Sequence, residues 1–281
     1  MRLGANTWIW TSPFSTEDVS LIHKIAEIGF DIAEVAIEDP SLVDTAVLKR
    51  TVREAGVSCI VCGAYGPDRD LGSDNATLRQ NSLDYIRRLL AICTEVGSPV
   101  LPGPAYASVG DTRLRSPEES ASRWNHVVEN LQQLGREAGE AGVTLALEPL
   151  NRYETDLINT VEQALHLVES VGSPHVQIHL DTYHMNIEER DVPAAIRRAG
   201  DHVAHVHASA SDRGAAGGDH TPWTGVRDAL AAIDYRNAVV VESFTPGVKE
   251  IARAASIWRP LALTQDTLAT DSFAFLHNLF G

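Results

Sequence analysis

Residues 140–148 read Glu140-Ala141-Gly142-Val143-Thr144-Leu145-Ala146-Leu147-Glu148, and the reading of this stretch decides the fold. A helical pattern closes on a small apolar residue and then glycine. Glycine just past a helix supplies a left-handed cap, so Gly142 marks a helix stop. An alternating apolar run follows at once, with the period of a strand, and it ends on a carboxylate. The same punctuation recurs at Glu27-Ile28-Gly29, Glu54-Ala55-Gly56, Glu95-Val96-Gly97, Ser170-Val171-Gly172 and Arg198-Ala199-Gly200.

Eight short apolar segments accompany these stops, at 3–8, 32–37, 58–64, 99–104, 143–148, 176–181, 203–208 and 238–243. Helical patterns with cap signals lie between them. Ser116-Pro117-Glu118-Glu119 is one, and Asn159 with Glu162 three residues on is another. The alternation predicts an α/β fold, a (β/α)8 barrel. A doubly wound open sheet competes, but no G-x-G-x-x-G follows the first strand. No linker divides residues 1–281, which predicts a single domain with its barrel over about 1–258. Trp258-Arg259-Pro260 then separates the barrel from a C-terminal helical extension at about 261–279.

The chain has 281 residues, 44% of them hydrophobic, enough to bury a large core. With 38 Asp and Glu against 23 Lys and Arg, the net charge of −15 argues against nucleic-acid and membrane partners, which need clustered cations. A small polar ligand fits better. The cysteines number three, no basic-then-apolar leader precedes them, and no apolar run nears the ~20 residues of a membrane span. A cytoplasmic location is the expectation. Cys59 and Cys62 form a C-x-x-C, but on a strand residues three apart face opposite ways, which argues against a redox or zinc pair. Cys93 shares a helical stripe with Ile86, Leu89 and Leu90 and reads as core.

Four polar residues terminate the last four strands: Glu148, Asp181, His207 and Glu242. In a closed barrel alternate residues point inward. Val143, Leu145 and Leu147 would then face the helices, leaving Thr144, Ala146 and Glu148 inside. Val176, Ile178 and Leu180 go outward, with Gln177, His179 and Asp181 inward. Ala204 and Val206 are expected outside and His205 and His207 inside; Val239 and Val241 outside and Glu242 inside. Inward residues at the strand ends converge on the barrel mouth, where active sites of this fold lie. Three carboxylates and an imidazole there would repel and protonate unless a cation neutralised them. Such a donor set suits Mn2+, Mg2+ or Co2+ with open coordination positions better than zinc. His179 and His205 lie about 6.6 Å deeper on the strand rise, which makes them poor candidates to ligate the ion directly.

Other chemistries have less support. Lys24, Lys49 and Lys249 are the only lysines and none is at an inward strand end, so a Schiff-base nucleophile is missing. No G-x-S-x-G or P-loop occurs. The loop at 209–222 contains a glycine-rich run, Ser211 to Gly218, that could cradle a phosphate, act as a lid or be an ordinary loop; Arg213 is the only cation of that run.

Four segments then resemble the D-tagatose/D-psicose 3-epimerase group of the xylose-isomerase-like TIM barrels. They are Leu147-Glu148-Pro149-Leu150-Asn151-Arg152-Tyr153-Glu154-Thr155, Leu180-Asp181-Thr182-Tyr183-His184-Met185-Asn186-Ile187-Glu188-Glu189, His205-Val206-His207 with Arg213 six residues on, and Val241-Glu242-Ser243-Phe244. The resemblance implies one divalent metal, commonly Mn2+ or Co2+, on Glu148, Asp181, His207 and Glu242, with the two glutamates doubling as acid and base. It implies that Glu154, His184 and Arg213 hold sugar oxygens near C1 to C3. Phe244 and Cys62, and more loosely Trp8 and Trp10, resemble residues lining the far end of the sugar. A homodimer or homotetramer is also implied. Two departures stand out: Ala208-Ser209-Ala210-Ser211 replaces a glycine-glutamate pair that many members carry, and the GAAGGDHTPW loop is this chain's own.

The implied activity is a ketose 3-epimerase interconverting free ketoses such as D-fructose and D-psicose, or D-tagatose and D-sorbose. Removing a proton next to a carbonyl at neutral pH requires stabilising the resulting cis-enediolate, which a Lewis-acid cation does. Two carboxylates on opposite faces of the sugar would invert C3. Alternatives on the same residues are an aldose-ketose, sugar-acid or sugar-phosphate isomerase, or the metal-bearing subunit of a heteromeric lyase acting on an oxidised glycoside. A non-catalytic accessory barrel is a further alternative, opposed by the pairing of two glutamates with His184 and Arg213.

Overall fold

The computed structural model describes the backbone of residues 1–281 and every side chain except that of Glu250. Its strands are β1 Arg2–Asn6, β2 Ile32–Ile37, β3 Ser58–Gly63, β4 Val100–Gly103, β5 Thr144–Leu147, β6 Val176–Asp181, β7 Val203–His207 and β8 Ala238–Val241. The helices are α1 Ser20–Ile28, α2 Thr45–Ala55, α3 Ala76–Val96, α4 Pro117–Ala141 and α5 Val161–Val171, then α6 Thr182–Glu188, α7 Val192–Ala199, α8 Trp223–Ala232, α9 Lys249–Ala254 and α10 Gln265–Phe280.

Parallel ladders run through the order β3-β2-β1-β8-β7-β6-β5-β4, so the sheet curls into a nearly closed (β/α)8 barrel. At the seam between β3 and β4 a side chain does what a ladder does elsewhere. Ser98 Oγ accepts from Val61 N (3.1 Å) and donates to Val100 O (2.7 Å). The helix stops behave as the sequence predicts: at Gly142 the backbone turns left-handed, φ 67°, and returns its N–H to the last turn of α4.

Strand alternation divides the interior into two cores. Leu145, Leu147, Ile178, Leu180, Val239 and Val241 pack outward against the helices, each burial worth about 1.5–3 kcal/mol. Ile32, Ile60, Val100, Ala146 and Val240 plug the base of the barrel. Above that plug the inward positions turn polar. One expectation fails here. Ala204 packs with the interior plug rather than outward, because the register between β6 and β7 slips where Ile178 faces Val203 and His179 faces His205. That irregularity resets the alternation, and His205, Val206 and His207 keep their expected sides.

Two helix starts illustrate local capping. Ser116 and Glu119 form the predicted capping box of α4. At α5 the cap is one residue later than Asn159: Thr160 and Gln163 form the box, and Gln163 Oε1 also accepts from Asn159 N (2.8 Å). At the other end of the chain α10, capped by Thr264, packs on α1, α8 and β1. Its Asp266 accepts from Trp10 Nε1 (2.6 Å) and pairs with Lys24. No described helix is long and apolar enough to cross a membrane.

Candidate active site at the mouth of the barrel

Glu148, Asp181, His207 and Glu242 stand at the carboxyl ends of β5 to β8, and each offers a ligand atom within 4.8 Å of the others. All four are buried. Each is held from behind. Tyr106 donates its hydroxyl to the Glu148 carbonyl (2.9 Å), and Asp181 Oδ1 caps α6 by accepting from Tyr183 N (2.7 Å). His207 Nε2 lies 2.7 Å from Glu34 Oε1, leaving Nδ1 without a hydrogen-bond partner and 3.3 Å from Glu242 Oε1. An orphaned imidazole nitrogen facing three carboxylates is the donor set a divalent cation takes.

The electrostatics of the cluster follow from burial. Burial first, then the charge of Glu242, push the Glu148 carboxyl well above the usual carboxylate range. Burial acts the same way on Asp181, but Arg213 outweighs it and holds that carboxyl at about 2. For His207, burial disfavours the charged ring, yet Glu242 and Glu34 overcome it and raise its pKa well above the ordinary value. Opposing shifts among touching groups mark a site built to accept positive charge.

Arg213 partly supplies that charge. Its Nη1 donates to Asp181 Oδ2 and Glu242 Oε2, each at 2.7 Å, and to Ser209 Oγ at 3.0 Å. The guanidinium is buried between the rings of Tyr183 (4.0 Å) and Phe244 (5.0 Å). The backbone at Arg213 is left-handed, φ 63°, a sparsely populated conformation for a residue with a side chain. The loop that carries it is tied down. Asp219 accepts from Ser211 N and Trp223 Nε1, both at 2.7 Å, and Ala216 N donates to Ser272 Oγ on α10 (3.1 Å). With Arg213 turned into the site, the glycine-rich run keeps no free cation for a phosphate.

A cavity of about 280 Å³ opens above the cluster, lined by Trp8, Tyr65, Leu150 and Phe244 together with Glu148, Glu154, His184, Arg213 and Glu242. Glu154 does not pair with Arg152, which instead binds Glu188 (2.9 Å); Asn151 Nδ2 holds it at 2.8 Å. His184 Nδ1 accepts from Asn151 N (3.0 Å), so its neutral ring carries the proton on Nε2, which lies 3.2 Å from Arg213 Nη2 and 3.7 Å from Glu148 Oε1 at the cavity wall. Burial lowers its pKa, which favours that neutral form. Trp8 and Phe244 meet at 5.6 Å between ring centroids, and Trp8 is fixed through Nε1 to Glu38 Oε1 (2.6 Å).

Cys62 and Trp10 lie outside this lining. Cys62 is buried beneath Trp8 and Phe244, its thiol pushed well above the ordinary pKa by burial. Cys59 faces the helices, so the two cysteines remain apart and free. The sequence reading passed over three residues here. Glu34 is fully buried behind His207, Asn151 orients both Glu154 and His184, and Ser209 braces Arg213. Glu34 had a legible signal: it is a carboxylate at an inward position of the otherwise apolar run Ile32-Ala33-Glu34-Val35-Ala36-Ile37.

The chain is similar over most or all of its length to known sugar epimerases. Residues 22–268 match the family described as xylose isomerase-like TIM barrel. A probable ketose 3-epimerase from Synechocystis sp. is 32% identical over 281 residues, covering 100% of this chain and 97% of the relative. An Escherichia coli 3-dehydro-D-guloside 4-epimerase is 33% identical over 223 residues, covering 78% of this chain and 84% of that protein. The crystal structure of D-allulose 3-epimerase from Methylomonas sp. in complex with D-allulose superposes with a TM-score of 0.93 at 28% identity, covering 99% of this chain and 96% of that one. The chain belongs to the xylose isomerase-like TIM barrel family, in its D-tagatose/D-psicose 3-epimerase group, and is an isomerase acting on carbohydrates.

Proposed function

We propose that this protein is a divalent-metal-dependent ketose 3-epimerase acting on free ketoses, such as D-fructose and D-psicose or D-tagatose and D-sorbose. One observation carries the reading. Glu148 and Glu242 come from strands separated by β6 and β7, line the same cavity, and bring ligand atoms within 4.8 Å of each other and of Asp181 and His207.

Glu148, Asp181, His207 and Glu242 would hold one divalent ion, Mn2+ or Co2+. Bound there, the ion supplies Lewis-acid stabilisation of the charge that builds on oxygen when a proton next to a carbonyl leaves. The chain's own groups do the rest. One glutamate carboxylate takes the C3 proton, and the other glutamate delivers a proton to the opposite face, inverting C3. His184 Nε2–H donates to a sugar oxygen beside the carbonyl, Glu154 accepts from a hydroxyl, and Arg213 fixes Asp181 and Glu242 between its own contacts. Trp8 and Phe244 exclude water from the far side of the sugar.

The identity with the 4-epimerase favours a second reading, epimerisation beside the ring ketone of an oxidised glycoside. The cavity, about 280 Å³, lies just below the roughly 300–1,000 Å³ of ligand pockets and suits a monosaccharide. NMR of metal-loaded protein in deuterated buffer separates the two. Deuterium entering C3 of a free ketose, with formation of its epimer, supports the 3-epimerase. Exchange confined to the carbon beside the ketone of a keto-glycoside, with free ketoses inert, moves the second reading ahead.

A further inference from the structure

We propose that Glu34, on β2, is a positioning residue that reaches across the barrel to select which nitrogen of His207 faces the metal site. The inference rests on the reading that His207 is a metal ligand. Glu34 and His207 are not neighbours in the sheet, since β1 and β8 lie between β2 and β7. They meet in the lumen. Glu34 is fully buried, above the apolar plug of Ile32, Ile60 and Val240, where a carboxylate without partners would be costly.

Its partners account for its presence. Oε1 accepts from Asn6 Nδ2 and from His207 Nε2, each at 2.7 Å, and Oε2 lies 2.7 Å from His205 Nε2. A carboxylate can only accept, so Nε2 of His207 must carry a proton. In the neutral ring Nδ1 then has a free lone pair, and Nδ1 is the nitrogen that faces Glu242 Oε1 at 3.3 Å. The protonation pattern required for ligation is thus imposed from the opposite wall, in the manner by which carboxylates orient metal-bound histidines generally. The same hydrogen-bond chain continues outward. Asn6 Oδ1 accepts from Trp8 N (2.9 Å), so Glu34 joins the ligand side of the cavity to its aromatic wall.

Glu34→Gln is the informative change because it preserves volume and one acceptor oxygen, yet turns an N–H donor either toward both Asn6 Nδ2 and His207 Nε2 or toward His205 Nε2. Titrating metal-free wild type and variant with Co2+, read by calorimetry and by the visible Co2+ spectrum, measures affinity without reference to turnover. The variant is expected to bind Co2+ about 10- to 100-fold more weakly and with an altered spectrum, measured at a temperature where both metal-free proteins are folded. Glu34→Asp, which keeps the charge but shortens the reach, is expected between them. Equal affinity and an unchanged spectrum in a folded Glu34→Gln would overturn the proposal. Wild type that binds no Co2+ would instead overturn the metal reading on which it rests. Should Glu34→Gln not fold, 15N NMR of Zn2+-loaded wild type decides: a proton on His207 Nε2 with Nδ1 ligating supports the assignment, and the reverse overturns it.

Discussion

Arg213 donates a hydrogen bond of 2.7 Å to Glu242, and the same nitrogen holds Asp181 at the same distance. One buried guanidinium therefore bridges two of the three carboxylates gathered at the barrel mouth and offsets one of their charges. Removing one member of a buried pair leaves an uncompensated charge, at a cost of about 3–5 kcal/mol. Arg213→Ala should lower the unfolding temperature of the metal-free protein markedly, and added Mn2+ should restore more stability to this variant than to wild type. Thermal unfolding with and without Mn2+ tests this; equal metal-induced shifts would contradict it.

Chelation should abolish epimerisation and Mn2+ or Co2+ should restore it, because Arg213, a cation in the cavity wall, is already engaged by Asp181 and Glu242 and does not replace an ion in stabilising an enediolate. Activity after dialysis against chelator, then after metal addition, measures this. Full activity after exhaustive metal removal would contradict the proposed function.

Glu154→Ala should leave metal affinity within a few-fold of wild type, since Glu154 is fixed by Asn151 and is not one of the four clustered donors. Loss of a hydrogen bond to a sugar hydroxyl at a charged acceptor costs about 1.5–3 kcal/mol, or roughly 10- to 150-fold in kcat/KM. Calorimetry with Co2+ beside steady-state kinetics separates the two effects. A large fall in metal affinity would reassign the residue.

The loop after β7 carries its own pH signature. Burial opposes ionisation of Asp219, but hydrogen bonds from Thr221, Ser211 N and Trp223 Nε1 outweigh it and hold the carboxyl at about 2. A carboxyl depressed in the folded state contributes stability that is complete above its unfolded pKa of about 3.9 and is lost as pH falls toward the folded value. Asp219→Asn should thus be less stable than wild type at neutral pH, with the difference shrinking between about pH 4 and pH 2. Denaturant unfolding across that range checks it. A difference independent of pH would mean that the carboxylate charge does not hold the loop.

The barrel and the four clustered residues were legible because both are written in local periodicities. Glycine stops such as Gly142 delimit the βα units, and alternate residues of Thr144 to Leu147 or Val176 to Asp181 report which side faces in. Where the signal was not local, reading failed. Ala204 lies inside because of a register slip that depends on pairing with β6, which no single-strand pattern records. The start of α5 at Val161 turned on which of two adjacent polar residues found a glutamine three positions on. Glu34 matters through residues far away in sequence, His207 and His205, and its strand reads as apolar around it. Cys62, inward on β3, lies below the cavity rather than in its wall because Trp8 and Phe244 pack over it. Arg213 was reached only through the family resemblance, and its grip on Asp181 and Glu242 depends on a loop anchored to α10 through Ser272.

The assignment of Glu148 and Glu242 as opposed acid and base is tested most directly by Glu148→Gln and Glu242→Gln in deuterated buffer. Each variant keeps an oxygen donor but loses its base. Wild type loaded with Mn2+ should yield the C3 epimer carrying one solvent deuterium at C3. Each variant should still bind Mn2+ while epimer formation falls by at least about 10²-fold, with C3 exchange under retention surviving in whichever variant keeps the carboxylate facing the substrate proton. Substantial inversion at C3 by either single variant would contradict the assignment.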